Sequence, residues 1–147
     1  MKIRNIINSL ILVCTLFVSL SALAEDSIRF NTWSLGSGVG ELYENRINFS
    51  DLMKLPSFNP EEGSPPIDPQ KALAIAREYL KKKHAKFANS VVAGVNLTQF
   101  VMPRYFKDKW YYIIIFENNI PVIKRYPESI NVVVMMDGSV NEPYRVK

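Results

Sequence analysis

One histidine and one cysteine set the first limits on chemistry. His84 follows Lys81-Lys82-Lys83, whose charge opposes its protonation, and no adjacent acid orients its ring. No serine sits in a Gly-x-Ser-x-Gly elbow, so a Ser-His hydrolase lacks both its nucleophile turn and a tuned base. Cys14 stands alone, which excludes a disulfide framework within the chain. The carboxylates form two near pairs, Glu41/Glu44 in an irregular stretch and Glu61-Glu62 in a Pro-rich one. Acid–base hydrolysis needs two carboxyls held at a fixed separation on rigid elements, which neither pair promises. There is no Cys/His ligand set and no Asp-x-Asp-x-Asp loop, so no metal and no cofactor is expected. Gly36, Gly38 and Gly40 lack the spacing and the Lys-Ser/Thr pair of a phosphate-cradling loop. These residues predict a protein that is not an enzyme.

Two groups remain that could bind rather than react. Lys81, Lys82 and Lys83, with Lys86 nearby, form the densest charge cluster and could meet an anionic surface. The aromatic residues Trp33, Trp110, Tyr111 and Tyr112 could anchor a protein partner wherever they are exposed, because buried aromatics dominate interface energetics. Asn48-Phe49-Ser50 and Asn96-Leu97-Thr98 fit the glycosylation triplet, a pattern common by chance.

The elements that would position these groups follow from patterning. Asp68-Pro69 is a good N-cap followed by a good first helical residue. Ala72, Leu73, Ala76, Tyr79, Leu80 and Phe87 then recur at three- and four-residue steps, predicting a helix over Pro69–Lys86. Val91–Met102, Trp110–Glu117, Ile130–Met136 and Ser139–Val146 read as strands, the last two joined at Asp137-Gly138. Helix first and strands after predict an α+β fold, with one main helix on a three- to four-stranded antiparallel sheet. Trp110, Tyr112 and Ile114 would share one sheet face and Tyr111, Ile113 and Ile115 the other. The helix covers one of them. The second is left for the N-terminal extension, a second subunit or a ligand.

The N-terminal part reads differently. Lys2 and Arg4 precede an apolar run, and Ala22-Leu23-Ala24 offers small residues for signal peptidase, so residues 1–24 are expected to be a secretory leader. Val13 before Cys14 does not suit a lipobox. The whole chain carries a formal charge of +4 with 48% hydrophobic and 22% charged residues. Without Lys2 and Arg4 the charge falls to +2, which makes nucleic-acid binding a poor expectation. Residues 25–66 read as an N-terminal extension: a strand over Ser27–Leu35, scattered apolar positions from Leu42 to Leu55, then a Pro-rich linker. Residues 67–147 form the main domain.

Three segments carry a family resemblance: the helix Asp68-Pro69-Gln70-Lys71-Ala72-Leu73-Ala74-Ile75-Ala76-Arg77-Glu78-Tyr79-Leu80, the strand Lys109-Trp110-Tyr111-Tyr112-Ile113-Ile114-Ile115-Phe116, and Val132–Val140 with its Asp-Gly turn. Together, over 68–147, they resemble the PepSY-like and cystatin-like modules of exported bacterial proteins. The resemblance implies a non-catalytic module associated with the regulation of peptidases. The expected function is an exported, periplasmic or secreted, binding or regulatory module acting on an envelope or extracellular protein. The alternative is a carrier holding a small apolar ligand between helix and sheet.

Overall fold

The computed structural model describes residues 27–35, 41–100, 106–118 and 128–146. The expected leader with Cys14 and the Gly36–Gly40 stretch lie outside the described residues. The described chain is mixed α+β and carries two antiparallel sheets. Its strands are β1 (Ser27–Leu35), β2 (Glu41–Asn48), β3 (Val91–Gln99), β4 (Trp110–Glu117), β5 (Ser129–Met135), β6 (Val140–Asn141) and β7 (Tyr144–Arg145). Its helices are α1 (Phe49–Lys54) and α2 (Pro69–Lys83), with a 3₁₀ turn over Ala85–Phe87. One sheet has the order β3-β4-β5-β6 and the other β1-β2-β7.

Helix α2 starts as its sequence dictates. The Asp68 carboxylate accepts from the Lys71 backbone N–H at 2.8 Å, and Pro69 supplies a preset φ. Such a cap is worth about 1 kcal/mol. Ala72, Ala76 and Leu80 are fully buried on β4 and β5, and the two small side chains let the helix lie close to the sheet. The helix ends earlier than expected. His84 turns out of helical geometry at φ −137°, and Phe87 reaches the same core from the 3₁₀ turn instead of from the helix stripe. Tyr112, Ile114, Phe116, Val132, Val134 and Met136 complete this core.

The second face of the four-stranded sheet is covered too. Ile28 and Phe30 of β1, Ile47 of β2, and Leu52 and Leu55 pack there against Tyr111, Val133, Met135, Phe100 and Phe106. The described part of residues 25–66 therefore packs onto the main sheet. The hairpin shares a core with the main sheet, and β2 pairs with the C-terminal β7. Leu42–Leu55 showed no single period because two periods meet there, strand spacing up to Asn48 and a helical turn from Phe49. In β1 the register shifts between Arg29 and Asn31, so Trp33 continues the inner face of Ile28.

The expected strand Ser139–Val146 is split. Val140–Asn141 pairs with β5, Glu142-Pro143 interrupts, and Tyr144–Arg145 pairs with β2, so one short segment ties the two sheets together. Pro143 has no N–H to offer a ladder, which suits it to the crossing point. Ahead of it, Gly138 takes a φ of +86°, the left-handed conformation that the β5–β6 turn requires and that a side chain disfavours.

Candidate functional site

The four aromatic candidates are core residues. Tyr112 is 1% exposed under α2, and its hydroxyl donates to the Ile67 carbonyl at 3.1 Å. Tyr111 is 2% exposed under the hairpin, edge-on to Phe30 with ring centroids 4.9 Å apart, and tilted against Phe100 at 4.6 Å. Trp33 is 9% exposed and stacks on Tyr43 at 4.9 Å. Trp110 is half-buried and meets Phe58 edge-on. As surface anchors for a partner, Trp33, Tyr111 and Tyr112 are thus corrected: with both sheet faces covered, none can reach one without opening the fold.

Burial holds the Tyr111 phenol above its ordinary pKa, and burial together with the Asp68 charge does the same for Tyr112. The unfolded chain therefore loses these protons first as pH rises past about 10, and stability contributed below that value is lost. Urea midpoints measured from pH 8 to 11 should fall above about pH 10. The fall should be shallower in Tyr111→Phe.

The lysine cluster is exposed but largely paired. Lys81 meets Glu78 at 2.8 Å and Lys83 meets Glu142 at 3.3 Å, while neighbouring Lys86 meets Glu128 at 3.6 Å. The Lys81 hydrogen bond and charge lower the Glu78 pKa. Lys82 has no ion pair among the described residues. His84 lies against Tyr79, ring centroids 5.6 Å apart, and burial followed by the Lys86 charge lowers its pKa. No group of three His, Cys, Asp or Glu side chains among the described residues is arranged to hold a metal. The two acids weighed as a pair go separate ways. Glu44 is buried between Arg46 and Arg29, whereas Glu41 pairs with Arg145 at 2.6 Å and accepts from the Tyr43 hydroxyl.

Helix α2 packs on β4 and β5 through residues that are fully or almost fully buried, and two clefts of the described surface lie elsewhere. One cleft, of about 440 Å³, is a shallow apolar hollow beside Ile75, Tyr79 and Val140 on the outer side of α2.

Two surface features stand out instead. The first is β3, which ends the four-stranded sheet and, among the described residues, is bonded on one side only, to β4. Its nine residues, Val91-Val92-Ala93-Gly94-Val95-Asn96-Leu97-Thr98-Gln99, include no charge and no proline. Val91 is 47% exposed, Leu97 38%, and Val92 and Val95 37% each. The register places Val92, Val95 and Leu97 opposite Phe116, Ile114 and Tyr112, so these three lie on the helix side of the sheet. A bulge at Ala93 shifts the alternation, so Val91 does not share one face with Val95 and Leu97. Edge strands are ordinarily blunted by Lys, Pro or bulges, and here only the bulge is present.

The second feature is a cleft of about 490 Å³ between α1, the end of β2 and the β5–β6 turn. Ile47, Leu55 and Met135, all buried, contribute its apolar floor. Its rim carries Arg46, Lys54, Asp51 and Asp137, with Tyr144 beside them. The guanidinium of Arg46 is fixed by the Glu44 carboxylate and lies over the Tyr144 ring at 5.3 Å. Lys54 bridges to Asp51 at 2.8 Å across one helical step. Asp137 accepts from the Ser139 N–H at 2.9 Å and from its hydroxyl at 2.7 Å.

Sequence reasoning missed both features. The uncharged, proline-free run Val91–Gln99 carried the signal for the first. For the second it was the Tyr43, Asn45, Ile47 alternation followed by Leu52 and Leu55 at a helical step. Comparison with protein-family models, with curated proteins and with solved structures returned no match.

Proposed function

We propose that this chain is a non-enzymatic binding module, exported from the cytoplasm, that takes a protein partner by adding one of its strands to β3. The observation that carries the reading is the uncharged β3 edge, unpaired among the described residues, with four large apolar side chains exposed along it. Strand addition draws affinity from main-chain hydrogen bonds and specificity from alternate side chains. Here an incoming strand would lay apolar side chains beside Val92, Val95 and Leu97. The apolar run and Ala22-Leu23-Ala24 of residues 1–24 support the export part of the reading, which makes the partner a periplasmic or extracellular protein. The resemblance of 68–147 to PepSY-like and cystatin-like modules supports a regulatory role, such as peptidase inhibition.

A photo-crosslinking residue placed at Val95, at Leu97 or at the exposed Ala74 of α2, in cells exporting the full chain, tests it. One discrete adduct is expected from Val95 and Leu97 and none from Ala74. Val92→Lys should cut its yield about tenfold, because a desolvated charge on the edge opposes pairing. No adduct from β3, or the same adduct from Ala74, overturns the proposal.

A further inference from the structure

We infer that the cleft between α1 and the β5–β6 turn is a second, separate binding site, for a small zwitterion with an aliphatic body such as a short apolar peptide with free termini. Its volume of about 490 Å³ falls within the range of small-molecule sites, and Ile47, Leu55 and Met135 give an aliphatic group a floor to bury against. The rim selects by charge. Arg46 and Lys54 supply two positive groups, and Asp51 and Asp137 two negative ones. A plain anion meets two carboxylates and a plain cation meets two bases, so each gains from one half of the rim and is opposed by the other. A zwitterion can satisfy both halves at once.

The walls are prepared for this. Arg46 is held by Glu44 and backed by the Tyr144 ring, so its guanidinium is not free to swing away, and Asp137 is braced by Ser139. Side chains positioned before binding lose little entropy when a ligand arrives. Lys54 and Asp51 are more exposed and, among the described residues, pair with each other, which leaves them able to exchange that weak surface bridge for a ligand's termini.

Calorimetric titration of the purified chain with four probes tests the inference: dileucine, N-acetyl-dileucine, dileucine amide and free leucine. Dileucine should bind, and capping either terminus should weaken it about tenfold. Free leucine binding as tightly as dileucine would assign the site to amino acids, and binding weaker than dileucine to peptides; both support the zwitterion. Lys54→Glu, a change at an exposed position, should weaken dileucine and favour the cationic amide over the acetylated probe. Equal binding of the three dipeptide probes, no heat from any of the four, or no change of preference in Lys54→Glu overturns it. None of these outcomes depends on the β3 edge.

Discussion

Truncating Tyr112 to alanine should lower the unfolding free energy by about 4 kcal/mol, read as a shift of the urea midpoint at unchanged cooperativity. The ring is sealed between α2 and the sheet, and its hydroxyl holds the carbonyl of Ile67, the residue before the helix cap. Removing it leaves a cavity among neighbours that are themselves buried and leaves that carbonyl without its donor. Tyr112→Phe separates the two parts, because it keeps the packing and should cost about 1 kcal/mol. Were Tyr112 instead a surface anchor for a partner, alanine would leave the midpoint within about 0.5 kcal/mol and act only on binding.

The second large effect is expected at Asn45, which is 1% exposed on the inner face of the hairpin. Its side-chain carbonyl accepts from Asn31 at 3.1 Å, and its amide donates to the backbone and side-chain oxygens of Asn141 at 3.0 and 2.9 Å. Asn141 in turn donates to the Arg46 carbonyl at 2.8 Å. These bonds join the β1–β2 hairpin to β6 of the other sheet. Asn45→Ala removes three of them and leaves buried partners unsatisfied, so a loss of about 3 kcal/mol is expected in the same denaturation measurement. Pairing it with Asn141→Ala should give clear non-additivity, with a coupling of about 1–2 kcal/mol, since the two amides share bonds. Additive losses would mean that the two amides do not act as a unit.

Much of the sheet was legible because its signals are local. Trp110–Glu117 alternates cleanly, Asp137-Gly138 has one economical conformation, and Asp68-Pro69 announces its helix before any tertiary contact exists. What stayed hidden depended on distant partners. Nothing local tells that Phe30 bulges, since the shift is set by Asn31 and Trp33 meeting Asn45 and Tyr43 on the next strand. Nor does composition tell that a hairpin comes to lie over Tyr111. For the same reason the aromatic run stands out in the sequence, while the position of the valine strand at the sheet's end is decided only by the pairing order. The cleft combines residues from α1, β2 and the β5–β6 turn, none of which carries a motif.

The Asn45–Asn141 clasp joins positions 96 residues apart. A chain emerging vector-wise from a ribosome or a narrow export channel therefore displays β1 and β2 long before the segment that fastens them to the rest. During that interval the hairpin has strand-forming sequence and no fastening, a state open to helper proteins and to wrong pairings alike. Closing so wide a loop is slow, because its entropy must be lost before the contacts return anything.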